Sequence, residues 1–248
     1  MSRLLVTGTG TEVGKTIVTA AVAALARAHG RSVTVVKPAQ TGLAPGEESD
    51  IDVVRRLSGI DDVHELIRYD DPLAPESAAR RQGVDPVPVA ELARRVAALP
   101  ETDLLLVEGA GGLLVRFDAA GGTAADLAVA LRAAVLVVAA PGLGTLNATA
   151  LTCEAARARG LECAGVVVGA WPAEPDLAAR VNIDDFPAYA QVPLLGCLPA
   201  GLGGSAADDF LRVARASLAP ALGGEWAAPT GEPAEPGSER RTADCTPP

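Results

Sequence analysis

A glycine-rich loop near the start of the chain constrains its fold more than any other segment. The loop spans residues 8–16 with the sequence Gly-Thr-Gly-Thr-Glu-Val-Gly-Lys-Thr, and it follows the apolar run Leu4-Leu5-Val6. Residues 16–28 are rich in Ala, with Val and Leu at helical spacing, and are predicted to form a helix directly after the loop. A loop that joins a buried strand to a helix in this way predicts an α/β protein with an anion site at the end of the strand.

The residue types of this loop indicate phosphate binding. Glycines allow consecutive backbone N–H groups to point at one anion, and the helix N-terminus adds positive partial charge. Lys15 is placed to reach the terminal phosphates of a nucleotide, and the Thr16 hydroxyl is placed to ligate Mg²⁺. Five residues separate Gly8 from Gly14, whereas the common form of the motif has four. This loop is therefore one residue longer than usual.

Six apolar segments predict the strands of a single sheet. They are rich in β-branched residues, and helical segments separate them. They lie at residues 4–7, 32–37, 104–108, 134–140, 165–169 and 192–197. Because these runs lack polar alternation, we predict an α/β fold of the P-loop NTPase type, with a doubly wound, mainly parallel sheet and helices on both faces. We expect one domain over residues 1–222 and a disordered tail rich in Pro and Glu over residues 223–248.

Composition and charge argue against several functional classes. The net charge of −10 gives no basic field for the phosphates of nucleic acids. The four cysteines are widely spaced and only two histidines occur, so a zinc site is not expected. The N-terminus has no signal-peptide pattern, and no apolar run is long enough to span a bilayer. We therefore expect a soluble, cytoplasmic protein.

Polar residues at the carboxyl ends of the predicted strands are candidates for chemistry, because ligands bind at that edge of a parallel sheet. The second strand ends in Lys37, which would be a second cation beside the phosphate loop. The third strand ends in Glu108, before glycine-rich residues 109–112, where a carboxylate can hold Mg²⁺. Each has a plainer alternative: Lys37 as a solvated boundary residue, and Glu108 as an exposed residue that caps a turn.

Two further segments have more than one interpretation. Asp50 and Asp52 open a short helix predicted over residues 51–57, where either can be an N-cap or can complete a Mg²⁺ shell. Spacing alone does not choose between the two carboxylates. Farther along, the glycine-rich turn at residues 141–147 enters another helix, and its free N–H groups suit either an anion or a plain structural turn.

Five motifs together resemble the dethiobiotin synthetase family of ATP-dependent ligases. They are TGTGTEVGKT at residues 7–16, VVKPAQTG at 35–42, LVEGAGGLLV at 106–115, GLGTLNAT at 142–149 and VPLLGCLP at 192–199. The resemblance covers residues 1–200, and more loosely extends to residue 222. It implies that CO₂ is joined to 7,8-diaminopelargonic acid and that ATP drives closure of the ureido ring. It also implies Mg²⁺ as cofactor and a homodimer with substrate near the subunit interface, without nucleic-acid or membrane partners.

The resemblance also implies roles for individual residues. The implied catalytic residues are Lys37 and Lys15, and the implied metal ligands are Thr16, Asp50 and Glu108, with Asp50 preferred to Asp52. The implied nucleotide-binding residues are Glu12, Val13, Gly14, Lys15, Thr16, Ile17, Asp50, Glu108, Gly109, Ala110, Gly111, Gly169, Ala170, Pro199, Ala200 and Gly201. The implied substrate-binding residues are Thr11, Lys37, Thr41, Gly142, Leu143, Gly144 and Asn147. In this family the turn that contains the last four is contributed by the second subunit of a homodimer.

One position departs from the family pattern. Many members carry, after the fifth strand, an Asn that contacts the edge of the adenine, whereas this chain has Gly169 followed by Ala170 and Trp171. Glycine has no side chain with which to form a hydrogen bond. The base preference therefore stays open, with other nucleoside triphosphates as alternatives to ATP.

The main alternative function is a nucleotide-switch ATPase of the partitioning or metallocluster-delivery type. Such proteins usually carry an additional Lys early in the phosphate loop. No Lys occurs between Thr7 and Gly14 in this chain. The ligase is therefore the function that we predict from the sequence.

Overall fold

The computed structural model describes residues 1–44 and 46–227, and the six predicted strands are all present in it. The strands of this part of the chain are β1 (Ser2–Gly8), β2 (Val33–Lys37), β3 (Gln40–Thr41), β4 (Val63–Glu65), β5 (Arg68–Tyr69), β6 (Leu104–Gly112), β7 (Ala134–Ala139), β8 (Cys163–Trp171) and β9 (Leu194–Pro199). Its α-helices are α1 (Lys15–Ala28), α2 (Asp50–Ser58), α3 (Pro75–Gln82), α4 (Val89–Ala97), α5 (Ala124–Leu131), α6 (Thr145–Arg157), α7 (Leu177–Ala190) and α8 (Ala207–Ser217). Two short 3-10 helices lie at residues 202–204 and 220–222.

Seven of the strands form one parallel sheet in the order β4-β2-β6-β1-β7-β8-β9. The chain leaves β1 for β2 on one side of the sheet and later adds β7, β8 and β9 on the other. The strand order therefore reverses at β1, and the crevice outside the carboxyl ends of the strands at such a point is where α/β sheets bind ligands. The phosphate loop follows β1 and lies at this position.

Helices cover both faces of the sheet, as predicted. Neighbouring residues of β1 point to opposite faces, so that Leu5 belongs to one hydrophobic core and Val6 to the other. Helices α1, α2 and α8 pack together over the core that contains Val6, whereas α4 packs on α5 and α6 packs on α7 over the core that contains Leu5. Burial of both faces explains the continuous apolar runs from which we predicted the strands.

The structure corrects the prediction at β6. Glu108 does not end the third main strand, because β6 continues through the glycines to Gly112. Gly112 pairs with Gly8 of β1, and the register between the two strands shifts just before this pair. Glu108 therefore lies inside a paired strand, level with Val6, and not at the end of the strand where we expected it.

Three short strands were not predicted. β4 is an edge strand of three residues that pairs only with β2, and β3 and β5 form a separate two-stranded parallel sheet. Their polar residues and short lengths give little periodicity from which a strand can be predicted. No helix among the described residues is long and apolar enough to cross a membrane. The predicted disordered tail lies, from residue 228 onward, outside the described residues.

Candidate active site

The loop between β1 and α1 has the backbone geometry of an anion cradle. Glu12 and Gly14 have left-handed backbone conformations, with φ of 58° and 93°, and such conformations turn successive N–H groups towards a common centre. Gly14 precedes α1 without a side-chain cap, so the N–H groups of the first helical turn are free to meet a ligand. The Thr9 N–H donates to the Val138 carbonyl at 2.9 Å and anchors the loop to β7.

Lys37 lies at the centre of a buried charged cluster beside this loop. Its Nζ atom is 2.6 Å from Asp50 Oδ2 and 2.9 Å from Glu108 Oε1, and it donates to the Gly109 carbonyl at 3.3 Å. The Thr16 hydroxyl donates to the same Glu108 oxygen at 2.9 Å. Lys37 is 4% exposed and Glu108 is 1% exposed. The plainer alternatives, a solvated boundary residue at position 37 and a turn cap at position 108, are therefore wrong.

Burial and the neighbouring charges shift the pKa values of Lys37, Asp50 and Lys15. Burial alone would lower the pKa of Lys37, but the carboxylates of Glu108 and Asp50 outweigh burial and raise that pKa above its usual value. Burial would raise the pKa of Asp50, but Lys37 and the Thr16 hydroxyl hold it below its usual value. The pKa of Lys15 is lowered by burial and then by Lys37, against the opposing effect of the two carboxylates. A bound anion would raise the pKa of Lys15 again.

Asp50 and Asp52 have different roles at the N-terminus of α2. The N-cap of α2 is Ser49, whose hydroxyl oxygen accepts from the Asp52 N–H at 3.3 Å, and Asp52 completes the capping box by accepting from the Ser49 N–H at 3.4 Å. The alternative that Asp50 or Asp52 is the N-cap is therefore wrong for both, and the Asp50 side chain contacts Lys37. The Gln40 side-chain carbonyl accepts from the Asp50 N–H at 3.3 Å. Gln40 thus helps to hold the first turn of α2 against the charged cluster.

A cavity of about 860 Å³ opens beside the cluster. It brings together twelve of the predicted site residues: Thr11, Glu12, Gly14, Lys15, Thr16, Ile17, Lys37, Thr41, Asp50, Glu108, Ala110 and Gly111. The rest of the lining was not predicted: Ala39, Gln40, Gly42, Leu43, Pro72, Leu73, Ala74, Pro75 and Val115. The segment 70–75, Asp-Asp-Pro-Leu-Ala-Pro, carries turn signals, but only the pairing of β3 with β5 brings it to the cavity.

The other predicted site residues do not line this cavity in the described part of the chain. Val13 lies in the phosphate loop, and Gly109 lies in β6 beside the Lys37 ammonium. Gly169 and Ala170 lie near the end of β8, and residues 199–201 follow at the end of β9, where the Ala200 N–H donates to the Trp171 carbonyl at 2.7 Å. Gly142, Leu143, Gly144 and Asn147 lie after β7, where Leu143 is 93% exposed.

Comparison with known proteins shows to which family this chain belongs. A family model described as an AAA domain matches residues 2–202. An ATP-dependent dethiobiotin synthetase of Frankia casuarinae is 63% identical over 229 residues, which cover 92% of this chain and 96% of that protein. The enzyme of the same name from Saccharopolyspora erythraea is 62% identical and covers 91% of this chain and 99% of that protein. This chain belongs to the ATP-dependent dethiobiotin synthetase family. The family predicted from the five motifs is confirmed, and so is the prediction of an ATP-dependent ligase.

Solved structures show which other proteins share the fold of this chain. The cell division ATPase MinD of Pyrococcus furiosus has a TM-score of 0.51 at 20% identity and covers 86% of this chain and 97% of that chain. MinD of Pyrococcus horikoshii, complexed with Mg-ADP, has a TM-score of 0.52 at 18% identity, covering 87% and 95%. Likeness at such low identity confirms the P-loop NTPase type of fold and does not favour the switch ATPase as a function.

Gly169, the position that departs from the dethiobiotin synthetase pattern, lies directly against the phosphate loop. A Cβ atom built at Gly169 would overlap the Val13 carbonyl oxygen and would lie 3.1 Å from the Gly14 Cα atom. A Cβ atom built at Gly14 would in turn meet the Gly169 carbonyl oxygen at 2.5 Å. The two glycines allow β8 and the phosphate loop to approach more closely than side chains would permit.

We expect the substitutions Gly169→Asn and Gly169→Ala both to weaken ATP binding by roughly tenfold or more. The added Cβ atom must displace Val13 and Gly14 and so distort the N–H groups that face the phosphates. Titration calorimetry with ATP measures the effect. Gly203→Ala is the matched control, since its Cβ would meet only Ile17 at 3.7 Å. Unchanged ATP affinity in both Gly169 variants would contradict the close approach.

Proposed function

We propose that this chain joins CO₂ to 7,8-diaminopelargonic acid and closes the ureido ring with ATP, giving dethiobiotin, ADP and phosphate. The observation that carries the proposal is the Lys37 ammonium held beside the phosphate loop, 2.6 Å from Asp50 and 2.9 Å from Glu108. The product follows from the relatives, which are named ATP-dependent dethiobiotin synthetases. The cavity supplies a place where a triphosphate and a small diamine can meet.

In the proposed reaction, negative charge accumulates between the substrate carbamate and the triphosphate. One amine of the substrate captures CO₂ and loses a proton, giving a carbamate, and a carbamate oxygen then attacks the γ-phosphate and expels ADP. The second amine attacks the carbonyl carbon of the resulting carbamic-phosphoric anhydride, closes the ring and expels phosphate. Lys15 and Lys37 stabilise the charge that develops between carbamate and triphosphate, and electrostatic stabilisation of this kind dominates catalysis of phosphoryl transfer.

We propose roles for the other residues of the phosphate loop, β6 and the cavity. Residues 12–17 bind the triphosphate through the loop N–H groups, and residues 109–111 approach the γ-phosphate through backbone groups. Thr11 and Thr41 line the cavity beside Lys37 and offer hydroxyl groups to the diamine or its carbamate. Much of the remaining lining is apolar, including Leu43, Leu73 and Val115, which suits the alkyl chain of the substrate.

We propose that Mg²⁺ is bound by Thr16, Asp50 and Glu108. Glu108 Oε2 is buried and has no hydrogen-bond partner among the described residues, and all three side chains offer the oxygen donors that Mg²⁺ prefers. The described residues contain no cluster of three or more His, Cys, Asp or Glu that would hold a metal alone. Phosphate oxygens and water therefore complete the shell. When bound, the ion supplies further positive charge next to the phosphates.

The nucleobase has no side-chain partner at Gly169. We propose that backbone groups of Ala170 and of residues 199–201 contact the base instead, near the end of the sheet where β8 and β9 finish. Backbone groups read fewer features of a base than an Asn side chain, which has both a donor and an acceptor. The enzyme therefore uses ATP and accepts a second nucleoside triphosphate such as CTP.

We also propose that the enzyme is a homodimer in which the turn at residues 142–147 completes the partner's site. The large apolar side chains on and near α6 and α7 are unusually exposed, namely Leu143, Leu151, Leu177, Val181 and Tyr189. Since α6 packs on α7, these side chains lie on neighbouring elements. Exposed apolar patches of this kind often mark interfaces. A second copy that covers this face would bring the turn to another chain's cavity.

The proposal predicts that release of phosphate from ATP depends on the diamine. With ATP, Mg²⁺ and bicarbonate, we expect phosphate release to rise on the order of a hundredfold when 7,8-diaminopelargonic acid is added, because the carbamate is the nucleophile. Parallel reactions replace ATP with CTP, and others replace Mg²⁺ with excess EDTA, which should abolish release. Dethiobiotin formation is measured in the same samples by mass spectrometry.

Three outcomes would contradict different parts of the proposal. Release that is equally fast without the diamine, and without dethiobiotin, would contradict the ligase and favour the switch ATPase. Dethiobiotin formation that persists in EDTA would leave the ligase in place and contradict the assignment of Thr16, Asp50 and Glu108 as metal ligands. Use of ATP alone, with no product from CTP, would contradict backbone recognition of the base.

A further inference from the structure

A buried asparagine on α7 holds the turn that precedes α6. Asn182 is 8% exposed, and its side-chain Nδ2 atom donates to two consecutive carbonyl groups, that of Pro141 at 2.9 Å and that of Gly142 at 3.1 Å. An amide NH₂ group has only two hydrogens. Both are therefore used on this turn, which lies some forty residues away in the sequence.

These two hydrogen bonds fix the direction of the adjacent N–H groups. Neither peptide bond is cis, and in a trans peptide plane the N–H points opposite to the C=O. The Pro141 and Gly142 carbonyl groups point inward to Asn182. The N–H groups of Gly142 and Leu143, which share these two peptide planes, consequently point away from α7 and towards the exposed side of the turn.

The outward N–H groups have no partner among the described residues. Among the described residues, the N–H groups of Gly142, Leu143 and Gly144 donate to no other protein atom, whereas the Thr145 N–H donates to the Gly142 carbonyl at 3.3 Å. The Thr145 hydroxyl at the start of α6 is also buried, with no hydrogen-bond partner in this part of the chain. Unpaired N–H groups at the start of a thirteen-residue helix form a receptor for an anion.

We propose that Asn182 is a positioning residue for the carboxylate end of the substrate. By turning the Pro141 and Gly142 carbonyl groups inward, it presents the N–H groups of Gly142 and Leu143 to the carboxylate of the diamine bound in the partner's cavity. Asn182 touches neither the substrate nor the reacting atoms. The inference rests on the proposed function, because it requires a substrate that carries a carboxylate at the end opposite to the two amines.

The test replaces Asn182 and compares two substrates. Asn182→Asp keeps the size of the side chain but puts carboxylate oxygens against the two carbonyl groups, and Asn182→Leu removes both donors. In both variants we expect KM for 7,8-diaminopelargonic acid to rise roughly 10- to 100-fold, the loss expected for weakened hydrogen bonds to a charged group. The kcat value and the KM for ATP should change little.

The second substrate is 2,3-diaminononane, in which a methyl group replaces the carboxyl group. Since this diamine has no carboxylate, its kcat/KM should be the same in the two variants as in the unaltered enzyme. Asp184→Asn, an exposed change on the same helix, is the matched control. Thermal unfolding of each variant, with and without ATP, separates misfolding from a loss confined to the carboxylate.

The outcomes distinguish this inference from the proposed function. A rise in KM for the acid, together with an unchanged constant for 2,3-diaminononane, supports the role of Asn182. An equal loss with both diamines, a loss that lies in kcat, or no loss at all would overturn it. If the unaltered enzyme makes no cyclic product from 7,8-diaminopelargonic acid, the proposed function itself fails, and the inference fails with it.

Discussion

The substitution Lys37→Met is expected to lower kcat by roughly 10³-fold. Methionine keeps the length and apolar stem of the lysine but removes the ammonium that lies within 3 Å of both Asp50 and Glu108. The carbamate would then attack the γ-phosphate beside two carboxylates, without the Lys37 ammonium to offset the negative charge. Initial rates of dethiobiotin formation at saturating diamine and ATP measure the loss. A variant that keeps a tenth of the activity would contradict a catalytic role for Lys37.

Stability must be measured in the same experiment. Glu108 is 1% exposed, and removal of one partner from a buried ion pair leaves an uncompensated charge that costs about 3 kcal/mol or more. We therefore expect the Lys37→Met variant to unfold at a lower temperature, and Mg²⁺ with ATP to recover part of the difference. Arg95→Met is the matched control, because Arg95 pairs with Glu91 at 2.8 Å on the surface of α4 and its loss should change neither rate nor stability greatly.

The position of Lys37 and Glu108 at one edge of the sheet could be predicted from the sequence, because all parallel strands of a doubly wound sheet end at the same edge. The apolar runs before the two residues were sufficient for this. The detailed register was not predictable. Glu108 lies within β6 because Gly112 pairs with Gly8, and a run of glycines carries no periodicity from which such pairing can be predicted.

The structure was also needed to distinguish the roles of Asp50 and Asp52. Both carboxylates fit the start of a helix, and Ser49 immediately before them was the signal that the structure supports, since Ser is among the best N-cap residues. With Ser49 as the cap, Asp52 becomes the third helical residue and completes the capping box. Asp50 is then the carboxylate that is free to contact Lys37.

The contribution of residues 72–75 to the cavity could not be predicted from the sequence, for a different reason. Residues 72–75 reach the cavity through the pairing of β3 with β5, and each of these strands has only two residues. Elements this short are determined by tertiary contacts, such as the hydrogen bond from the Gln40 N–H to the Ile67 carbonyl at 2.9 Å. No hydrophobic pattern of the segment itself predicts them.

Two inactive variants are expected to regain activity when they are combined in one dimer. Lys37→Met disables the cavity of its own chain, whereas Asn147→Asp places a carboxylate where we propose that the substrate carboxylate of the other chain's site binds. In a mixed dimer one site carries both defects and the other carries neither. Random mixing gives half mixed dimers, so about a quarter of the unaltered activity should return at low diamine concentration. Chains with two different affinity tags allow the mixed dimer to be isolated and assayed.

The matched control combines Lys37→Met with Lys15→Met. Both residues line the cavity of one chain, so every site of that mixed dimer lacks one of the two cations and no activity should return. Recovery with Asn147→Asp but not with Lys15→Met is the result expected if residues 142–147 act on the partner's substrate. If the purified mixed dimer of the first pair stays inactive, each chain must bind the substrate carboxylate by itself. The outward N–H groups of Gly142 and Leu143 would then bind an anion other than the substrate carboxylate.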